Sequence, residues 1–181
     1  MSLYVKVCAA IAVSICLSVP ARAGDWATGE GSCYSKGAKI IGAGGSILPF
    51  GFYGSFDFGV HDAISAGGAV GWNTYGYSSI WRYNAIPILA RGAFHPFNLS
   101  VLADKIKVRE KLDAYVGLAA GWRIGFWSYD GPGVKPSTPS YGGLILREYI
   151  GVRYFFTDNF GVTAEDCHGL GVLNIGVCFK F

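Results

Sequence analysis

The chain of 181 residues is poor in charge and has only one long apolar run. Asp, Glu, Lys and Arg make up 15% of it, and the formal net charge is +3. So small and scattered an excess gives no basic patch, which excludes a nucleic-acid partner from our expectations. Beyond the amino-terminal stretch, no apolar run approaches the ~20 residues of a membrane-spanning helix. Yet 51% of the residues are hydrophobic and 27 are glycine. Because the chain has no second long apolar run, we expect these apolar residues to be spread over alternating positions, as in a barrel that faces lipid.

Motifs for catalysis or metal binding are also missing. The sequence contains no HExxH, no CxxC pair and no nucleophile elbow. The glycine-rich run 42–45 has no helix after it and is not a dinucleotide loop. Residues 166–168 read Asp-Cys-His, but consecutive residues of a strand point to opposite faces and do not converge on one ligand. We therefore predict a protein without catalytic residues, bound metal or cofactor.

The amino terminus has the pattern of a secretory signal. Lys6 precedes the mostly apolar core Val7–Val19, and Ala21-Arg22-Ala23 provides a small-x-small cleavage site. The apolar core is too short to cross a membrane, and Pro20 follows it at once. We expect residues 1–23 to be removed, a leader at 24–38, and one domain at 39–181.

Three of the five cysteines, Cys33, Cys167 and Cys178, lie outside this signal. Their odd number leaves at least one unpaired or paired between molecules. Cys167 and Cys178 are predicted on adjacent strands but out of register, too far apart for a disulfide. Cys33 could reach Cys178 from the leader, but inert thiols are the simpler interpretation.

Period-two alternation dominates the rest of the chain. At its end, Asn174, Gly176, Cys178 and Lys180 alternate with the apolar residues Leu173, Ile175, Val177, Phe179 and Phe181. Two earlier segments on either side of Thr157-Asp158-Asn159 alternate in the same way. Such alternation predicts strands with one apolar and one polar face, and Asp and Asn favour the tight turn between them.

Several of these stretches resemble a known family. They are the terminal Phe181 with its alternating strand, the turn GVRYFFTDNFGV, and the segments SFDFGVHDAISAGGAVGW and IPILARGAFHPF. They resemble the closing strands and hairpins of the small bacterial outer-membrane β-barrels. The resemblance implies an all-β protein: an eight-stranded antiparallel up-and-down transmembrane β-barrel in the cell outer membrane. It also implies contacts with outer-membrane lipid and with the outer-membrane assembly machinery, which would read Leu173, Ile175, Val177, Phe179 and Phe181 as a signal. We expect a monomer.

Eight alternating segments can be placed along the chain. We predict strands over about 39–47, 52–60, 64–73, 83–94 and 112–126, followed by three more, with an irregularity at Pro87. The leader is expected to be loose or to form a partial plug. Connection 95–111 is expected to hold a short helix with an apolar side of Phe97, Val101, Leu102 and Ile106. Its basic residues, Arg109 among them, would be solvated or touch lipid headgroups. Glu148 falls on the apolar face, which predicts either a bulge or a position above the membrane.

Charged residues gather on the polar face of these strands. They are Asp57, Arg91, Asp113, Arg123, Arg153 and Glu165. Charge is expensive in lipid, so these side chains are expected inside the barrel. An ion path or a buried catalytic group is one interpretation. A salt-bridge network is favoured, since an eight-stranded barrel is just wide enough for side chains to fill it. Strand register predicts Glu165 opposite Gly151 with Arg153 as its partner, and Asp57 opposite Gly42 and Gly67.

Three functions are compatible with this sequence. The favoured one is a non-catalytic outer-membrane barrel of structural or surface-interaction type with a closed, charged lumen. The alternative is a conduit or binding barrel for a small molecule, apolar molecules included. A lipid-modifying enzyme is the least favoured, because no Ser/His/acid set is evident near the lipid face.

Overall fold

The computed structural model describes residues 26–133 and 141–181, so the predicted signal at 1–23 lies outside the described residues. The chain forms a closed barrel in which each strand is antiparallel to the next and β1 pairs with β8. This confirms the predicted fold class. The strands are β1 (Lys39–Ser46), β2 (Phe50–His61), β3 (Ile64–Gly76), β4 (Trp81–Phe94), β5 (Leu112–Tyr129), β6 (Tyr141–Phe155), β7 (Phe160–Cys167) and β8 (Gly171–Lys180).

The two faces of this sheet differ sharply in chemistry. In β8, Ile175, Val177 and Phe179 are exposed on the outside while Asn174 and Cys178 are fully buried inside. The same alternation runs through the other strands and leaves large apolar side chains on the outside of the barrel. A water-soluble barrel would place its apolar face inward, whereas this one places it outward.

The strands differ in height, which the sequence did not predict. β5 has 18 residues and β6 has 15, whereas β1 and β7 have eight each. Residues 74–76 and 81–82, expected in a loop because they are rich in Tyr and Ser, extend β3 and β4. Aromatic residues favour extended strands, and here they pair across β3, β4 and β5. We call the parts of β3–β6 that rise above the short hairpins the tall wall.

Glu148 lies on β6, just beyond its last pair with β7, which joins Tyr149 to Cys167. It stands on the outer face between the exposed Leu146 and Ile150. The register of β5 against β6 runs through Leu118 opposite Glu148 without a shift. The expected bulge is therefore absent, and Glu148 lies level with the β7–β8 tip.

Pro87 interrupts one ladder only. It pairs with Arg123 of β5, but on its other side the pairing of β3 with β4 passes from Val70 opposite Ile88 to Asn73 opposite Ala85. Proline has no N–H to donate, so this local gap is the irregularity that the sequence predicted.

One end of the barrel is closed by the leader (residues 26–38) and the β4–β5 connection (residues 95–111), together called the plug. The connection contains helix α1 (Ser100–Ala103) between 3₁₀ turns at Pro96–Asn98 and Lys107–Glu110. Asn98 donates from Nδ2 to the carbonyl oxygens of Tyr34 and Asp62 at 2.8 and 2.6 Å. Within residues 26–133 and 141–181, no helix combines the length and apolar character needed to cross a membrane.

Two expectations about this connection are wrong. Arg109 is buried, and its guanidinium donates to the carbonyl oxygens of Thr28, at 3.0 Å, and Glu30. It satisfies leader carbonyls that would otherwise be orphaned, so it is neither solvated nor available to lipid headgroups. Val101, expected on the apolar side of the short helix, is exposed, while Leu99 and Ala103 are buried.

The β7–β8 tip closes the opposite end of the lumen. Leu170 is only 1% exposed and packs with Leu89 and Ile145. Asn73 donates from Nδ2 to the carbonyl oxygen of Leu170 and holds this tip inward. Between the tip and the plug, the side chains of Asp57, Arg91, Arg153 and Glu165 are buried in the lumen.

Candidate functional site

An ionic core fills the lumen between the plug and the β7–β8 tip. Arg91 forms a bidentate pair with Glu165. Its Nη1 donates to Oε1 at 3.2 Å, and its Nη2 donates to Oε2 at 2.6 Å. Its Nε lies 3.1 Å from Oδ1 of Asp57. All three side chains are at most 4% exposed. This fork geometry belongs to the stronger class of charge-assisted contacts.

The core continues through a second arginine. Arg153 donates from NH2 to Oδ2 of Asp57, and its NH1 lies 3.4 Å from Oδ2 of Asp113. His95 Nδ1 stands 2.7 Å from Oδ1 of Asp113, and His95 Nε2 stands 3.0 Å from Ser65 Oγ. The chain of contacts Glu165–Arg91–Asp57–Arg153–Asp113–His95–Ser65 therefore ties together strands β2 to β7 across the lumen.

Two tyrosine rings pack against the guanidinium groups. Arg91 lies 4.2 Å above the ring of Tyr149, and Arg153 lies 4.3 Å above the ring of Tyr115. The hydroxyl of Tyr115 also donates to Glu165 at 3.0 Å. A Cβ at Gly151 would come within 2.5 Å of the Tyr115 ring. Glycine at this strand position thus makes room for an aromatic ring.

Ser65, His95 and Asp113 have the order and distances of a nucleophile, base and orienting acid. Sequence reasoning missed this set because its members are far apart along the chain. The sequence did offer one indication: each of the three residues lies within two positions of the end of β3, β4 or β5 that meets the plug. All three are at most 3% exposed, and the ring of Tyr34 stacks on that of His95 with centroids 3.6 Å apart. The imidazole face is thus occupied by the plug.

A cavity of about 410 Å³ opens at the other end of the barrel, above the β7–β8 tip. Its lining includes Arg123, Arg147, His168, Tyr75 and Leu48. Arg123 was predicted within the lumen charge network, and the structure contradicts this. It lies much further along β5 than Asp113, where it pairs with Pro87 and Gly143. It shares no ion pair with the core.

Comparisons with known proteins identify the architecture. No protein-family model matches the sequence, and no curated protein is significantly similar to it. Among solved structures, the outer membrane protein OprG from Pseudomonas aeruginosa is 12% identical, with 82% of this chain and 97% of that chain covered and a TM-score of 0.59. The amino-terminal β-barrel domain of OprF from the same species is 19% identical, with 81% and 98% covered and a TM-score of 0.49. Ail, the attachment invasion locus protein of Yersinia pestis, is 17% identical, with 80% and 95% covered and a TM-score of 0.47.

The likeness to OprG decides the fold. This chain has the fold of the small outer-membrane β-barrels. At so low an identity the likeness extends to the fold alone.

The barrel brings together five of the six predicted charged residues: Asp57, Arg91, Asp113, Arg153 and Glu165. Their partners differ from those expected. Glu165 does lie opposite Gly151, but it pairs with Arg91, because Arg153 turns toward Asp57 and Asp113.

The predicted register of Asp57 is half right. Asp57 lies opposite Gly67 but also opposite Ile40, while Gly42 pairs with Ser55. A Cβ at Gly67 would come within 2.8 Å of Oδ1 of Asp57. The glycine thus leaves space for the carboxylate to reach its arginines.

The three cysteines of the barrel, Cys33, Cys167 and Cys178, are free and buried. Cys33 of the plug and Cys178 of β8 belong to one buried cluster. Burial raises the pKa of the Cys33 thiol to about 12. A protonated, inaccessible thiol at neutral pH is a poor nucleophile. Within residues 26–133 and 141–181, no three His, Cys, Asp or Glu side chains are grouped as metal ligands.

Arg153→Ala should strongly destabilise the barrel. The substitution leaves two buried carboxylates without their shared cation, which is expected to lower the free energy of unfolding by about 3–5 kcal/mol. Urea unfolding of the refolded barrel, followed by tryptophan fluorescence, measures the change.

Arg82→Ala is the matched control. Arg82 pairs with Asp130 at 3.3 Å, but both side chains are at least half exposed. Exposed pairs contribute at most about 1 kcal/mol. Equal losses in the two variants would contradict a structural role for the ionic core.

Proposed function

We propose that the protein is an integral outer-membrane β-barrel of structural or surface-interaction type, with a closed lumen and no catalytic role. One observation carries the proposal: an apolar outside surrounds an inside built from paired charges. Only a barrel set in lipid gains from that arrangement, since exposed apolar surface of this extent is unfavourable in water.

The outer face has the properties of a lipid contact. Phe52, Leu118 and Ile150 are more than half exposed on it, and Phe52 and Ile150 have the apolar cross-strand partners Trp72 and Val116. The first and last strands begin and end beside the plug, which we place on the periplasmic side. The tall wall then rises on the cell surface. Outer-membrane lipid is accordingly the first proposed partner.

The last strand supports a role in assembly. Leu173, Ile175, Val177 and Phe179 lie on the outer face, and Phe181 is 72% exposed. The N–H of Phe181 donates to the carbonyl oxygen of Lys39 at 2.8 Å, which joins the chain end to β1 at the seam. This arrangement supports these five residues as a signal for the outer-membrane assembly machinery. We propose a monomer, because β1 pairs with β8 and the barrel closes within one chain.

A closed lumen disfavours the conduit. A conducting path would have to pass the plug, the ionic core and the β7–β8 tip. The core cannot separate easily, because an unpaired buried charge costs several kcal/mol. The cavity beside Arg123 and Arg147, by contrast, supports a binding role at the cell-surface end.

The non-catalytic role can be tested on Ser65. Because Tyr34 covers His95 and the triad is buried, a fluorophosphonate probe should not label the folded protein. Mass spectrometry of Ser65 after incubation reads the result, with an active serine hydrolase in the same detergent as the positive control. Labelling of Ser65 that disappears in His95→Ala would contradict this role.

Cysteine accessibility tests the membrane topology. In a variant whose own cysteines are replaced by serine, Phe52→Cys and Leu118→Cys should resist a membrane-impermeant maleimide while the protein is in outer membranes. Both should react after denaturation, because lipid covers them only in the native state. Tyr77→Cys is the control and should react at once, since Tyr77 is 77% exposed on the β3–β4 loop. Ready labelling of the first two in membranes would contradict the proposal.

A further inference from the structure

A patch of aromatic side chains covers the inner face of the tall wall. The positions of β3, β4 and β5 that point inward share one parity with Asn73, Leu89 and Asp113. The aromatic residues that continue this parity are Tyr75, Trp81, Tyr83, Trp127 and Tyr129, and Tyr77 of the β3–β4 loop packs against Trp127. An aromatic belt at a membrane interface stands on the lipid-facing side instead. These six rings therefore have another purpose.

The rings form one continuous surface. Tyr83 and Trp127 have centroids 5.2 Å apart, Tyr77 and Trp127 5.3 Å, and Trp81 and Tyr129 4.8 Å. A Cβ at Gly125 would come within 2.0 Å of the Tyr83 hydroxyl, so glycine there lets the ring lie flat along β5. Tyrosine and tryptophan provide rigid apolar faces with a polar edge, which suits them to recognition.

An electropositive cavity adjoins this surface. Tyr75 belongs to both, and Arg123 and Arg147 line the cavity below it. Among residues 26–133 and 141–181, neither arginine has a carboxylate partner. Of the acids at this end of the barrel, Asp130 pairs with Arg82 at 3.3 Å, and Asp166 pairs at 3.2 Å with His168, which itself lines the cavity.

The Nε atom of Arg123 adds a second, independent indication. It is shielded from solvent and has no hydrogen-bond partner. Buried donors are nearly always satisfied in proteins, and a guanidinium left open pairs best with an oxyanion. The cavity volume also falls within the range of small-molecule sites.

We propose that the tall wall and this cavity together bind an anionic oligosaccharide at the cell surface. The apolar faces of the sugar rings pack on the aromatic patch, and a phosphate or carboxylate of the same molecule pairs with Arg123 and Arg147. The inference rests on the proposed function, which places the tall wall outside the cell. The anionic sugar comes either from the lipopolysaccharide of the same membrane or from a foreign glycan.

Calorimetric titration of the purified barrel in detergent micelles tests the site with four probes. They are the phosphorylated core oligosaccharide released from lipopolysaccharide, a carboxylated hyaluronan tetrasaccharide, neutral maltotetraose and inorganic phosphate. At least one of the two anionic oligosaccharides should bind ten-fold or more tightly than maltotetraose and than phosphate. Preference for the first identifies lipopolysaccharide as the source, and preference for the second identifies a foreign glycan.

Variants separate the two halves of the site. Arg123→Gln and Trp127→Ala should each weaken binding of the preferred oligosaccharide ten-fold or more. Arg82→Gln is the matched control, because Arg82 lies on the tall wall with the opposite parity and should leave the affinity unchanged. Each variant is first shown to fold by its heat-modifiable migration on gels.

The proposal is overturned if neither anionic oligosaccharide binds more tightly than maltotetraose. It is equally overturned if phosphate alone binds as tightly, or if Arg123→Gln and Trp127→Ala both retain the affinity of the unaltered barrel. Such results would not bear on the membrane topology, which is tested separately by the maleimide protection of the Phe52→Cys and Leu118→Cys variants.

Discussion

A charge inside a narrow barrel must have a partner, and most of this structure follows from that constraint. The lumen holds the carboxylates of Asp57, Asp113 and Glu165 and the guanidinium groups of Arg91 and Arg153, all at most 4% exposed on their side chains. In a lumen that excludes water, a charge without a partner would cost several kcal/mol of folding free energy. The strands therefore have to bring acids and bases to the same level, and that requirement fixes their positions relative to one another.

The remainder of the molecule protects this ionic core. Glycines at 67 and 151 clear space for a carboxylate and for a tyrosine ring. The plug covers one end through Tyr34 on His95, and Leu170 covers the other. Apolar side chains face outward because the inside is reserved for polar groups. The aromatic patch breaks this division only above the short hairpins, where the inner face of the tall wall is no longer enclosed.

Sequence predicted the local features well and the distant ones poorly. Alternation predicted the strands and their two faces, since a period of two can be seen in neighbouring residues, and the family resemblance implied the closed antiparallel order. Which acid meets which base depends on the stagger of all eight strands around the barrel, and one hairpin does not reveal it. Arg153 was accordingly assigned to Glu165 but pairs with Asp57 and Asp113, and Arg123 lies outside the core. Arg109 was expected to be a solvated loop residue, because the residues next to it in the sequence do not indicate the distant leader carbonyls to which it donates.

Ion conductance in a planar bilayer tests the central claim, a lumen closed by paired charges, most directly. The refolded protein is added to the bilayer, and current is recorded at fixed voltage in potassium chloride, with an established open porin as the positive control. The account predicts no steady conductance, because the plug, the ionic core and the Leu170 tip occupy the lumen in succession. A stable, reproducible open channel from the unaltered protein would contradict it.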